Sequence, residues 1–247
     1  MTTLLEVHDL AKSFGGVTAV NGVSFSLEEG QLLAIIGPNG AGKSTCFNLI
    51  NGQLVPDRGS VLIMGKDATG LKPRHIWRLG VGRTFQVTAT FASMTVMENV
   101  QVAVASRHNH TKALFNKLKN LYVEESMNLL ELVGIAELCN RPCGILAYGD
   151  LKRVELAVAL ANDPRLLLMD EPTAGMGPAE SSNLMNLAAE IVQTRNIGVL
   201  FTEHDMDVVF AHAHRVIVLN RGELIAEGYP DQIRENSSVQ DIYLGRG

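Results

Sequence analysis

One short segment constrains the fold of this chain more than any other. It directly follows an apolar run at residues 32–36 and fits the pattern G-x-x-x-x-G-K-[ST]. An apolar strand, a glycine-rich turn and a helix in this order form a loop whose backbone N–H groups approach phosphate oxygens closely. The segment therefore predicts a phosphate-binding loop. It reads Gly37-Pro38-Asn39-Gly40-Ala41-Gly42-Lys43-Ser44-Thr45.

Every residue of this loop is a candidate for nucleotide contact, and two side chains have distinct expected tasks. Lys43 is expected to neutralise the β- and γ-phosphates of a nucleoside triphosphate, and Ser44 to ligate Mg²⁺. The helix that begins near Lys43 directs its positive end at the anion. The alternative is a glycine turn with a chance Lys-Ser pair, against which the preceding apolar strand argues.

A second apolar run, at residues 166–169, leads into two carboxylates. Asp170 is expected to reach Mg²⁺ through water, and Glu171 to act as the general base that polarises the attacking water. The alternative is a strand end that merely exposes acids to solvent. Together with the phosphate-binding loop, this element predicts a nucleoside triphosphatase. The sequence contains no Asn-Lys-x-Asp motif, which argues against a GTPase.

Strand-like runs alternate with helical patterns along the chain, which predicts an α/β fold with a mainly parallel sheet. The runs at 32–36, 166–169 and 199–202 are short and apolar, as is typical of strands buried on both faces. Polar and apolar residues alternate from Ser24 to Leu27, which predicts a half-exposed antiparallel strand. Asn220-Arg221-Gly222 lies between two further apolar runs and predicts a hairpin in which Gly222 supplies the positive φ.

The middle of the chain has a different pattern. From about residue 87 to residue 162 the strand signals fade, and apolar residues recur at helical spacing. We therefore expect a single domain over 1–247 that contains an inserted helical subdomain at about 87–162. The residues at helical spacing are Leu114, Leu118, Leu121 and Tyr122, followed by Leu129, Leu130 and Val133.

Composition argues against several other classes of protein. The formal net charge of −5 and the 5% of aromatic residues are unlike those of a dedicated nucleic-acid binder. The longest unbroken apolar run, Leu156 to Ala161, has six residues, whereas a membrane-spanning helix needs about 20. Cys139 and Cys143 are separated by three residues and have no second cysteine pair beside them, so a metal site is not expected there. The cysteine pattern indicates a reducing compartment.

Further motifs resemble those of ATP-binding cassette (ABC) ATPases, in the order in which that family carries them. Residues 146–150 resemble the L-S-G-G-Q signature, and Gln86 resembles the glutamine of the Q-loop. Residues 170–173 are similar to the Walker B region, 174–178 to the D-loop, and His204 to the switch histidine. The resemblance covers nearly the whole chain. It implies a P-loop NTPase core with an N-terminal antiparallel β subdomain and an inserted helical subdomain.

Within that family, the chain resembles the ATPase subunits of branched-chain amino acid type importers. The motifs with this character are Phe14-Gly15-Gly16-Val17, Gly82-Arg83-Thr84-Phe85-Gln86, the Tyr148-Gly149 variant of the signature, and Tyr243-Leu244-Gly245. The ATPase of lipopolysaccharide export shares several of them and stays an alternative. Two others are a soluble ABC ATPase of DNA repair or translation, and a nucleotide-binding regulatory subunit with little hydrolysis.

The resemblance also implies roles for single residues, with ATP and Mg²⁺ as the bound species. Phe14 is similar to the aromatic residue that stacks on adenine, for which a π face is sufficient. The alternative is an ordinary packed strand residue. Gln86 would touch Mg²⁺ or the attacking water, and His204 would hold the γ-phosphate. The signature would contact ATP held by the opposite subunit through Leu146, Ala147, Tyr148, Gly149 and Asp150.

The partners implied are a second ABC ATPase subunit, transmembrane permease subunits and, indirectly, a solute-binding protein, with no nucleic acid. The chain would then lie at the cytoplasmic face of the inner membrane and power import of amino acids or similar small polar solutes. The segment from Val87 to Gln101 is the candidate docking surface for a membrane-subunit helix. Its apolar residues, Phe91, Met94, Val96 and Met97, either line a groove or belong to the core.

Two positions depart from the family pattern. Ala147 stands where the signature has a serine that donates to the γ-phosphate across the dimer, and Gly177 stands where the D-loop has an aspartate. Loss of one charge-assisted hydrogen bond is worth about 1.5–3 kcal/mol, roughly ten- to hundredfold in rate. We therefore expect a weakened composite site on the partner's ATP. The second subunit is either an identical chain or a paralogue, and the missing serine favours a paralogue in an asymmetric heterodimer.

Overall fold

The computed structural model describes residues 2–84, 90–110 and 120–244. Strands in this part of the chain form two sheets. The first is antiparallel, with the order β2-β1-β4-β5, and the second has six strands in the order β10-β9-β3-β8-β7-β6. The strands are β1 Thr3–Phe14, β2 Val17–Glu28, β3 Leu32–Ile36, β4 Arg58–Ile63, β5 Lys66–Asp67, β6 Val81–Arg83, β7 Leu166–Asp170, β8 Gly198–Thr202, β9 Arg215–Asn220 and β10 Glu223–Gly228.

Helices occupy the remaining segments of regular structure. They are α1 Lys43–Ile50, α2 Pro73–Arg78, α3 Val96–Arg107, α4 Val123–Leu132, α5 Tyr148–Leu160, α6 Pro178–Arg195, α7 Met206–His212, α8 Pro230–Glu235 and α9 Ser237–Leu244. None of those in the described ranges has the length and apolar character needed to cross a membrane.

The predicted α/β class and the mainly parallel sheet are confirmed. In the six-stranded sheet, β9, β3, β8, β7 and β6 run parallel, and β10 pairs antiparallel to β9. The predicted strand around Ser24–Leu27 is part of β2, which pairs antiparallel to β1. Its inward residues Phe25 and Leu27 are buried, while Ser24 is exposed.

The central strand β3 explains why the core has two halves. All five of its residues are fully buried. Leu33 and Ile35 pack with the antiparallel sheet and α1, whereas Ala34 and Ile36 pack on the opposite face with the helices. Because alternate side chains of a strand point to opposite faces, one continuous apolar run fills both layers.

The predicted hairpin between β9 and β10 is confirmed, and Gly222 has the positive φ that was expected of it (85°). Arg221 is left-handed as well (φ 49°). Two consecutive left-handed residues are typical of the type I′ turn, whose twist matches that of the flanking strands. The Gly222 N–H donates to the carbonyl oxygen of Ala41, 3.0 Å away, which ties this turn to the glycine-rich loop.

Helices α3, α4 and α5 lie within the region predicted to be a helical subdomain, whose limits at 87 and 162 stay a prediction. Leu129 and Leu130 are buried on α4, as their spacing predicted. Leu121 and Tyr122, however, precede the helix, because Tyr122 is left-handed (φ 56°) at its N-cap. Leu114 and Leu118 lie outside the described residues.

Candidate nucleotide site

The glycine-rich loop joins the end of β3 to the start of α1 and fits tightly between two other strands. Gly37 (φ 153°) and Gly42 (φ 100°) both have positive φ. A Cβ at Gly37 would lie 2.2 Å from the carbonyl oxygen of Leu219, and one at Gly42 would lie 2.3 Å from that of Ala19. These two glycines are therefore required both by backbone conformation and by the available space.

Lys43, the first residue of α1, lies inside the curve of the loop. Its ammonium group donates to the carbonyl oxygens of Gly37 (2.6 Å) and Pro38 (3.3 Å), and only 7% of the residue is exposed. Burial lowers the pKa of Lys43, and the carboxylate of Glu171 opposes this by favouring the charged amine. Ser44 is exposed and Thr45 is half-buried at the same helix end. The loop thus presents a helix N-terminus and one cation to an incoming anion.

Two carboxylates lie at the carboxyl end of β7, where the neighbouring strand β8 orients them. The Thr202 hydroxyl donates to Oδ1 of Asp170 (2.7 Å) and accepts from the Glu171 N–H (3.0 Å). Glu171 is left-handed (φ 45°), an uncommon and strained conformation for a residue with a side chain. Since the carboxyl ends of parallel strands meet at one edge of the sheet, these acids share an edge with the glycine-rich loop.

His204 follows the end of β8 beside a buried carboxylate. Its side chain is 62% exposed, and its Nδ1 lies 3.8 Å from Oε2 of Glu203, which is fully buried. Oε2 of Glu203 accepts from the His204 N–H (3.1 Å). Oε1 accepts from the Thr173 N–H (3.1 Å) and the Thr173 hydroxyl (2.5 Å). The backbone at His204 is thereby anchored while its imidazole faces outward.

The signature-like segment contains the start of α5, which begins at Tyr148. Ala147 is the N-cap residue, with φ −61° and ψ 151°, and makes no side-chain capping hydrogen bond. Ala147 and Tyr148 are exposed, whereas Leu146, Gly149 and Asp150 are half-buried. The segment therefore presents the start of a helix to solvent.

The D-loop segment lies beside the signature-like segment. A Cβ at Gly149 would lie 3.4 Å from Oε1 of Glu180 on α6. Gly177 is the N-cap residue of α6, and a Cβ placed there meets no atom within 4 Å among the described residues. An aspartate would therefore have space at Gly177, and the departure from the family pattern has no local steric cause.

Phe14 ends β1 at the Gly15–Gly16 turn. The residue is 47% exposed, so the alternative reading as a packed strand residue is wrong. The Lys12 ammonium lies 5.6 Å from the centroid of the ring. The adenine-stacking role stays a prediction.

Gln86 and residues 87–89 lie outside the described residues. In the rest of the predicted docking segment, Val96 is fully buried, so of the two alternatives left open for it the structure supports the core. Phe91 is 56% exposed, and Met97 is half-buried against the core. Arg83 lies shortly before this segment in the sequence. Burial lowers the pKa of its guanidinium, and the negative charge of Asp170 acts in the opposite direction by raising it.

Phe91 and Arg83 border a groove between the sheet and the helices. The groove has a volume of about 310 Å³ and opens to solvent. Its lining is formed by Trp77, Arg83, Phe91, Asn99, Val102, Ala103, Ser106, Val158, Ala159 and Asn162. Of the four apolar residues predicted to line a groove, only Phe91 does so among the described parts of the chain.

Three residues of the site were not identified from sequence: Thr173, Thr202 and Glu203. Thr202 is the polar last residue of a buried apolar strand, and Glu203 lies between it and His204, which is the signal that could have indicated them. In the described ranges, no group of three or more His, Cys, Asp or Glu side chains could hold a metal ion by itself, and Cys139 and Cys143 are free thiols.

Comparison with known proteins places this geometry in a family. Residues 20–174 match the family model of the ABC transporter. The chain is 41% identical to the high-affinity branched-chain amino acid transport ATP-binding protein BraF of Pseudomonas aeruginosa, over 98% of each chain. It is 38% identical to the corresponding protein LivG of Escherichia coli, again over 98% of each.

Solved structures agree with the sequence comparison. The ADP conformation of an ATP-binding cassette from an ABC transporter superposes with a TM-score of 0.89 at 31% identity, covering 99% of this chain and 100% of the other. A nucleotide-free cassette superposes with a TM-score of 0.86 at 31% identity, covering 98% of each. The chain belongs to the ABC transporter family, as an ATP-binding cassette ATPase.

Proposed function

We propose that this chain is the ATP-hydrolysing subunit of a membrane importer for amino acids or similar small polar solutes. The observation that carries the proposal is that Lys43, the Asp170–Glu171 pair and His204 lie at or just beyond the carboxyl ends of the parallel strands β3, β7 and β8. The transport names of the relatives that match over the whole length of the chain support the choice of solute.

ATP is the substrate that fits the glycine-rich loop. Gly37 and Gly42 give the loop a backbone course that leaves no space for a side chain at either position, and the Lys43 ammonium lies against the loop carbonyls. Lys43 would bind the β- and γ-phosphates, the backbone N–H groups of residues 37–45 would cradle them, and Phe14 would stack on the adenine. The exposed ring of Phe14 at the end of β1 supports this last contact.

The residues present also fit Mg²⁺. Asp170 is 8% exposed and has one carboxylate oxygen held by Thr202, and Ser44 offers an exposed hydroxyl at the start of α1. These two residues, with Gln86, would hold the ion. Bound there, Mg²⁺ would neutralise charge that develops on the phosphates.

Hydrolysis needs a base and a group that stabilises the γ-phosphate. Glu171 would orient and polarise the attacking water, and its left-handed backbone lifts it out of the line of β7. His204 would hold the γ-phosphate through its exposed imidazole. The exposed start of α5 at Ala147 would contact ATP on a second ABC ATPase subunit, for which a paralogue is favoured because the signature serine is missing.

Permease subunits would dock at the groove that Phe91 and Arg83 border. Through this contact they would receive the conformational change that ATP binding causes. An apolar wall with a charged rim suits one turn of an amphipathic helix. Docking there would bring a membrane subunit to Arg83, which lies three positions before Gln86 in the sequence. The chain would then lie peripherally at the cytoplasmic face of the membrane, and a solute-binding protein would act only through the permeases.

The test is capture of the full chain from native membranes in mild detergent, followed by mass spectrometry and ATP turnover. We expect two permease-like subunits, a second cassette, and turnover that Glu171→Gln abolishes. Phe91→Glu should deplete the permeases, whereas Tyr229→Glu, at an exposed aromatic outside the groove, should not. Lipopolysaccharide-export subunits in the captured complex, or recovery without any membrane protein, would refute the importer.

A further inference from the structure

A single buried carboxylate connects the two segments that carry the hydrolytic residues. Glu203 has no exposed surface, and its two oxygens point to different segments of the chain. Oε1 accepts two hydrogen bonds from Thr173, in the turn that follows Glu171, while Oε2 accepts the N–H of His204. Within the described residues, the hydrogen bonds of this carboxylate therefore end on the backbone or hydroxyl of a residue within two positions of a proposed catalytic group.

We propose that Glu203 is a positioning residue that sets the place of His204 relative to Glu171. The inference rests on the role assigned to His204 in the proposed function. The imidazole of His204 is mostly exposed, so few contacts of its own hold it in place. Its position is determined through its backbone, which the Glu203 carboxylate ties to the turn after β7.

Only a group that accepts on both sides can make this connection. An ionised carboxylate has two acceptor oxygens and no donor, whereas an amide has one acceptor and one donor group. Thr173 and His204 both donate to Glu203. A glutamine of the same shape could accept from one of them with its carbonyl oxygen. Its NH₂ group would then face the N–H donor of the other, and no hydrogen bond could form there. Glu203→Gln therefore breaks the connection while it preserves the volume of the buried side chain.

Strand β8, which ends at Thr202 directly before Glu203, also orders the metal-binding side. Thr202 orients Asp170 and the Glu171 N–H one residue earlier. The consecutive residues Thr202 and Glu203 thus hold three groups of the site, namely the Asp170 carboxylate and the backbones of Glu171 and His204. Glu203 does not touch the glycine-rich loop in any described contact, so its loss should alter the rate of hydrolysis and leave nucleotide affinity nearly intact.

The experiment is a double-mutant cycle on the purified full chain, with ATP turnover measured over a range of ATP concentrations. Glu203→Gln should lower kcat about tenfold, the usual effect of one lost hydrogen bond to a charged group, with KM changed by less than about twofold. In the His204→Ala background, Glu203→Gln should add less than about a twofold further loss. Thermal unfolding of each variant establishes that it is folded.

Two further variants complete the design. Thr173→Val removes the hydroxyl donor but keeps the N–H donor, so it should lower kcat severalfold, again only when His204 is present. It serves as the test should Glu203→Gln not fold. Glu29→Gln removes the carboxylate that pairs with Arg165 at the other end of β3 and should leave turnover unchanged.

Three results would overturn the inference. Equal losses from Glu203→Gln with and without His204 would show that Glu203 acts independently of His204. A raised KM with unchanged kcat would place its effect on nucleotide binding. Full activity of His204→Ala would remove the premise, and this result alone would also refute the role of His204 in the proposed function.

Discussion

The N-terminus of α5 offers a test in which stability and catalysis can be separated. Ala147 is its N-cap residue, with the extended backbone that capping residues adopt, but its methyl group cannot accept a hydrogen bond. Ala147→Ser supplies an acceptor to the first-turn N–H groups at an exposed position. We expect it to stabilise the chain by about 1 kcal/mol, the usual difference between serine and alanine at an N-cap.

For a chain of this size, about 1 kcal/mol corresponds to a rise in Tm of roughly 2–4 °C. The measurement is urea unfolding followed by circular dichroism, with a parallel thermal melt. Ala147→Val is the matched control, because it adds side-chain volume at the same exposed site without an acceptor and should bring no gain. A stability of Ala147→Ser at or below that of the parent chain would refute the capping argument.

The same substitution tests the composite site in the assembled complex. The composite site is expected to lack the hydrogen bond that the signature serine donates to the partner's ATP. If so, Ala147→Ser should raise ATP turnover roughly ten- to hundredfold, corresponding to about 1.5–3 kcal/mol. Turnover should be compared at saturating ATP in the membrane complex, with Ala147→Val again as the control. An unchanged rate with increased stability would keep the capping argument and eliminate the weakened composite site.

Three further perturbations test other parts of the site. Gly42→Ala should abolish ATP binding measured with a fluorescent nucleotide, because its Cβ would lie 2.3 Å from a carbonyl oxygen of β2. Thr202→Val should raise the Mg²⁺ concentration needed for half-maximal turnover severalfold, since it frees the Asp170 carboxylate; an unchanged Mg²⁺ dependence would contradict that assignment. Burial raises the pKa of Cys46 to about 12, so roughly one Cys46 thiol in ten thousand is ionised at pH 8. A thiol reagent should therefore modify the half-buried Cys139 in the native chain, but Cys46 only after unfolding.

Much of the fold could be predicted because it rests on local patterns. The apolar run of β3 and the glycines after it determine a strand, a turn and a helix within a dozen residues. The end of β1 shows the limit of this reasoning. An aromatic residue at a strand end is compatible with burial or exposure. The exposure of Phe14, next to the Gly15–Gly16 turn, was therefore established only by the structure.

The connections between distant segments could not be predicted. Glu203 and Thr173 are 30 positions apart in sequence, and their hydrogen bonds depend on the pairing of β7 with β8. Val96 was ambiguous for a related reason, since an apolar residue at the start of a helix suits either a groove or a core until neighbouring helices are placed. Periodicity gives the face of an element but not its partner.

The position of β3 at the centre of the sheet has a consequence for synthesis of the chain. The antiparallel sheet is complete once residue 67 has been made, but β3 pairs with β8 and β9, which extend from residue 198 to residue 220. Until then both edges of this wholly apolar strand lack their partners, a state prone to intermolecular pairing. A nascent chain that stalls on the ribosome before residue 198 would therefore need a chaperone, and the nucleotide loop would mature only after Gly222 has emerged.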